Sequence, residues 1–171
     1  MRNFDEMFRN KVGIEAYCCM SKYSTIDDNA PAECEYAPSI MYDYYEQKRT
    51  IYDACKDIGL SNEMSQKDAV KKIASWLCNK ITYSASQSVW YTALKTGKGN
   101  CSAYAEIMEM ICQRVGISCK YVTGNAGGPH AWNIVTLSGQ KYYVDVCWMD
   151  SNGGNTKYLL SSNLWESHTL D

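Results

Sequence analysis

The apolar period of this chain changes at Gly116, and that change limits the folds open to it. Upstream, apolar residues recur at helical spacing; downstream they alternate with period two, as strands with one buried face require. From Ser39 to about Leu60, the positions Met41, Tyr44, Tyr45, Ile51, Tyr52 and Cys55 follow the helical period, and Gly59 offers a stop. Ser65 followed by Asp68 has the form of a capping box, opening a helix with Val70, Ile73, Trp76, Leu77 and Ile81 inward and Lys67, Lys71 and Lys72 outward. Residues 83–98 lose the period, and Thr96-Gly97-Lys98-Gly99 reads as a loop. A further helix is expected from Cys101 to about Arg114, with Ile107, Met110, Ile111 and Val115 buried and Gly116 ending it. Three strands are then expected at 117–123, 131–137 and 141–146, the last two joined by a Ser138-Gly139 turn. Amino-terminal helices packed on a small antiparallel sheet make an α+β domain.

The expected domain covers 39–171. The preceding 1–38 is irregular, with turn signals at Asp27-Asp28-Asn29-Ala30-Pro31 and Ala37-Pro38-Ser39, and reads as a segment wrapping the domain or a linker. A formal charge of −2 with scattered lysines and arginines argues against nucleic acid as a partner. Apolar runs fall short of the roughly 20 residues that a spanning helix needs. Acids at Asp5 and Glu6 stand where a signal peptide carries its apolar stretch. The expectation is a cytoplasmic protein, or a secreted or surface one whose leader has been removed, with the oligomeric state left open. Nine cysteines contain no C-x-x-C pair, and with two histidines in the chain no metal site or cofactor is expected. Most are expected to be buried thiols, with any bridge among Cys18, Cys19 and Cys34.

Chemistry concentrates between residues 98 and 150. Cys101 comes at the first turn of its helix behind Gly99 and the capping residue Asn100, where free amides and the helix dipole favour an anion. That setting lowers a thiol pKa, and a neighbouring imidazolium lowers it further. With a two-residue turn at Ser138-Gly139, Trp132 lies opposite Asp145 and His130 is its diagonal neighbour on the same face. Cysteine, histidine and carboxylate in this order suit a nucleophile, its base and the group that orients the base. The Cys101 amide is one half of an oxyanion hole. For the other half Tyr83, Gln87, Trp90 and Tyr91 are unranked candidates, and Tyr104, Trp132, Tyr142 and Trp148 are candidates for lining a substrate groove.

Gly99-Asn100-Cys101-Ser102-Ala103-Tyr104-Ala105, Gly116-Ile117, Gly124, His130-Ala131-Trp132-Asn133 and Tyr143-Val144-Asp145 together resemble the core of the transglutaminase-like superfamily, over about residues 68–150. The resemblance, to bacterial transglutaminase-like cysteine peptidases and amidases in particular, implies a papain-like α+β fold. It also implies a Cys101-His130-Asp145 triad performing acyl transfer through a thioester. Cys147-Trp148-Met149-Asp150 departs from the Pro-Thr or Thr-Trp-Asp that follows the aspartate in many relatives. The expected function is a thiol enzyme acting on a peptide or protein amide, hydrolysis being favoured over transamidation. The competing reading is a peptide- or glycan-binding module on the same fold without turnover, and a third is a redox or metal protein built on the cysteines. His168, among polar residues, is expected to be a surface histidine. Asp150-Ser151-Asn152-Gly153-Gly154-Asn155 reads as a turn rather than a calcium loop, since position twelve is Ser161. Asn100-Cys101-Ser102 matches a glycosylation pattern only by chance.

Overall fold

The long helices end at Arg114 and the four-stranded sheet follows them, with one parallel pair of two-residue strands before that point and one short α-helix after it. In the computed structural model, residues 38–61 and 63–171 are described, with side chains from Glu46 onward, and Ile51–Asp171 form one compact unit. The cysteines at 18, 19 and 34 and the segment 1–37 lie outside the described residues. Six cysteines within them are free thiols, of which Cys112, Cys119 and Cys147 are buried.

Helix α1 runs Pro38–Ile58 and α2 Gln66–Lys80. Ser65 caps α2 by accepting the Asp68 amide, and its hydroxyl donates to the Asp68 carboxylate at 2.6 Å. The inward face of α2 carries Val70, Ile73, Ala74 and Leu77. Trp76 lies at the rim with its indole N–H donating to Asp57 at 2.7 Å, a polar tether that periodicity alone does not show. Between α2 and the next long helix comes a parallel pair of two-residue strands, β1 (Thr82–Tyr83) and β2 (Lys98–Gly99). Of the expected loop 96–99 the last two residues are the strand β2, and within the stretch that loses the helical period Trp90–Thr96 form a short helix, α3. Val89 at its start makes no side-chain cap, so the usual entry signal is missing, whereas Gly97 closes it at φ +70°.

Helix α4 spans Cys101–Arg114, opened by Asn100 accepting the Ala103 amide at 3.3 Å. Its buried stripe is Ala103, Tyr104, Ile107, Met108, Ile111 and Cys112; Val115, expected inside, is exposed because it already lies in the cap. The sheet has the order β5-β4-β3-β6 from β3 (Ser118–Asn125), β4 (Pro129–Leu137), β5 (Gln140–Val144) and β6 (Thr169–Leu170), antiparallel throughout. Ser138 (φ 50°) and Gly139 (φ 81°) both take positive φ, the mark of a two-residue type I′ turn matching the twist of the strands it joins. Leu137 therefore pairs with Gln140 and Asn133 with Val144. Continuing that register places Trp132 opposite Asp145.

The third strand ends two residues sooner than the alternation suggests, because Asp145 caps a new helix, α5 (Val146–Ser151), through its own side chain. Ile111, on α4, is wholly buried in the core. Ile111→Ala should lower unfolding free energy by about 2–5 kcal/mol with an unchanged denaturant slope, measured by urea titration.

Candidate active site

Three elements meet at the start of α4. The Cys101 thiol, half-buried, interacts with the His130 side chain and with the backbone of Ala131 and Ser102. The interaction with His130 outweighs burial, which opposes charge, and the thiol pKa falls below its usual value of 9.0. Every other cysteine with a resolved shift moves the opposite way. Burial lifts Cys55 and Cys78 to about 11 and raises Cys147, and a hydrogen bond with Cys112, added to burial, raises Cys119. Cys101 is thus distinguished from the other thiols by its surroundings.

His130 is the second residue of β4, and its Nε2 donates to Asp145 Oδ2 at 2.8 Å. Burial works against the imidazolium, but the bonds to Asp145 and Cys101 overcome it and raise the pKa from 6.5 to about 9. Asp145 has no exposed surface. Oδ1 accepts the Trp148 amide at 2.9 Å, and Oδ2 accepts both His130 and His168, the latter at 3.0 Å. Against the cost of burial, these donors hold the carboxyl below its ordinary 3.8.

His168 corrects the expectation of a surface histidine. Its side chain is fully buried, in edge or tilted contact with Trp132, Trp148 and Trp165 at 5.0, 4.6 and 4.8 Å between centroids. No local pattern marks it, because its neighbours Glu166, Ser167 and Thr169 stay exposed and His168 alone turns inward where β6 pairs with β3. The one sequence signal was arithmetic, since it is the second of two histidines in the chain.

The remaining sequence candidates are dispersed. Trp132 is buried, stacked against His130 at 5.9 Å, so it forms the wall behind the imidazole; its indole N–H has no partner among the described residues. Trp148 is half-buried and also flanks His130. Tyr104 is packed in the core, its hydroxyl 2.7 Å from both Ile81 O and Asp150 Oδ2, which turns it away from any groove. Gln87 reaches the site through its backbone, its carbonyl accepting the Asn100 amide at 2.7 Å. Tyr83 is exposed and pairs with Gly99 across the parallel strands. Trp90 and Tyr91 make an edge contact at the start of α3, and Tyr142, half-buried, lies on β5 opposite Val135.

His130, Asp145 and His168 offer two nitrogens and an oxygen within 4.8 Å, a set able to ligate a divalent cation. The same atoms are joined by the two hydrogen bonds to Oδ2, so a cation would have to displace both protons. The arrangement as it stands serves proton and hydrogen-bond chemistry.

Because the Asp145 pKa is lowered on folding, the carboxylate contributes stability above pH 3.8 that is lost as pH falls through its folded value. Urea midpoints of the natural chain should therefore drop on acidification below about pH 4, and Asp145→Asn should lack that component of the drop.

Comparison with known proteins gives a consistent family. The transglutaminase-like superfamily model matches residues 43–149. Kyphoscoliosis peptidase of Homo sapiens is 32% identical over 102 residues, which cover 47% of this chain and 15% of that protein. Its Mus musculus counterpart is 32% identical over 110 residues, covering 52% and 17%. The match thus spans less than a fifth of the length of either relative. A solved TGase superposes with TM-score 0.55 at 18% identity, covering 77% of this chain and 37% of its own. A proposed cysteine protease from Cytophaga hutchinsonii gives 0.50 at 20% identity, covering 58% and 37%. At such identities the likeness is one of fold: helices against a curled antiparallel sheet, as in transglutaminase-like and papain-like proteins.

Proposed function

The chain belongs to the transglutaminase-like superfamily, and from that premise we propose that it is a thiol acyl-transfer enzyme acting on a peptide or protein amide, with Cys101, His130 and Asp145 as its working residues. The observation that carries this reading is the 2.8 Å bond from His130 to the buried carboxylate of Asp145, with the Cys101 thiol, lowered in pKa chiefly by its interaction with His130, beside that pair.

The lowered pKa of Cys101 and the raised pKa of His130, to about 9, both favour a thiolate beside an imidazolium. The thiolate attacks the amide carbonyl carbon, forming a C–S bond and placing negative charge on the carbonyl oxygen. Amides at the start of α4 face that charge, the Cys101 N–H among them. His130 then gives its proton to the departing nitrogen, the C–N bond breaks, and a thioester remains. Water, losing a proton to His130, attacks the thioester carbon; the C–S bond breaks and the acid leaves. Asp145 holds the imidazole in one orientation and favours its charged form throughout. Hydrolysis is favoured over transfer to an amine, in keeping with the name peptidase carried by the curated relatives. The catalytic domain of this reading is residues 39–171.

The first test needs no substrate. Iodoacetamide labelling of each thiol across pH, read by mass spectrometry, should find Cys101 reacting fastest well below pH 9.0. His130→Ala should slow it at neutral pH about tenfold or more and move its onset upward. Equal labelling of Cys101 and the other thiols, indifferent to His130, would overturn the enzyme reading and favour a binding module.

With a susceptible peptide amide in hand, Cys101→Ala should abolish turnover and His130→Ala should reduce kcat/KM by about 10²–10⁴-fold. Added primary amine should appear in only a minor share of the product. Predominant amine incorporation would reverse the preference for hydrolysis.

A further inference from the structure

We infer that His168 is a positioning residue of this site, holding the Asp145 carboxylate in the plane that His130 requires, and that β6 delivers it there. The inference rests on the thiol-enzyme reading above and adds a fourth side chain to it, from a segment beyond the family match, which ends at residue 149.

The hydrogen bonds of Asp145 make the argument. A carboxylate with a single partner can rotate about its last side-chain bond. In Asp145, Oδ1 is fixed by the Trp148 amide and Oδ2 by His168 Nε2 at 3.0 Å, so two donors set the plane without any contribution from His130. His130 binds the same Oδ2 at 2.8 Å. His168 is itself held: Ser167 Oγ lies 3.0 Å from Nδ1, and Trp132, Trp148 and Trp165 enclose the ring. Filling that space would need only an apolar ring; aiming Nε2 at Asp145 has a different use. The titratable groups around the pair are His130 on β4, Cys101 on α4 and Cys147 on α5, the last within electrostatic reach of Asp145, Cys101 and Asp150.

Delivery depends on one glycine. β6 lies along β3 with Gly124 opposite Leu170 and Asn125 opposite Thr169. A Cβ at position 124 would collide with the Thr169 carbonyl and the Trp132 ring. Only a residue with no side chain lets the segment carrying His168 lie this close.

The full chain serves for the test, with three variants checked for native near-UV circular dichroism. His168→Phe fills the space without a donor. His168→Gln offers an amide N–H in place of Nε2. Gly124→Ala keeps the imidazole but displaces the segment. The readout is the pH profile of Cys101 alkylation by iodoacetamide. Without the second donor the Asp145 carboxylate is free to turn out of the plane that His130 requires, its hold on the imidazolium weakens, and the acidic limb of Cys101 labelling should rise.

The expected result is a limb about one pH unit higher in His168→Phe and Gly124→Ala, roughly tenfold slower labelling at a fixed pH on the limb, with most of the shift restored by His168→Gln. An unshifted limb in His168→Phe, or shifts of equal size in Phe and Gln variants, would overturn the positioning role. If His168→Phe does not fold, Gly124→Ala and His168→Gln decide by the same comparison. Failure of the thiol-enzyme reading shows separately, as Cys101 in the natural chain labelling no faster than Cys55 and ignoring His130→Ala. The carboxyl ¹³C titration of Asp145 then decides. A higher midpoint in His168→Phe, reversed in His168→Gln, supports the role of His168, and an unmoved midpoint overturns it.

Discussion

A carboxylate with no surface in water is costly to bury, by several kcal/mol, unless donors surround it. Asp145 meets that requirement from three directions: the first turn of α5, the second residue of β4 and the segment leading into β6. Each contact fixes an element as well as a charge. The Trp148 amide is the cap that starts α5, and the His130 bond ties the start of β4 to the residue that opens that helix. Fold and site are therefore two descriptions of one hydrogen-bonded centre.

The aromatic enclosure gives that centre its strength. Trp132 and Trp148 lie against His130, and Trp165 and Tyr158 extend the layer behind them. With water kept away, the attraction between imidazolium and carboxylate is less screened, and the raised pKa of His130 persists in spite of its own burial. Cys101, at the start of α4, is half-buried.

Much of this was legible in the residues. The extent of α4 followed from Asn100, the apolar stripe and Gly116, and the meeting of His130 with Asp145 followed from the count of residues in one turn. Both are local consequences of backbone geometry. The short helix Trp90–Thr96 was hidden because no side chain caps its start, and α5 because the residue that starts it looked like the end of a strand. His168 was hidden for another reason. Its burial depends on a pairing across more than forty residues, between Gly124 and Leu170, and neither partner carries a sign of the other.

The tryptophans around the two imidazoles have a consequence of their own. Three of the five in the chain, Trp132, Trp148 and Trp165, stand within 6 Å of His130 or His168. The three indoles thus wall the two imidazoles and, between them, the Asp145 carboxylate, which has no surface in water. Opening that wall at any one indole would let solvent screen the bond between His130 and Asp145 and loosen the centre from the outside inward.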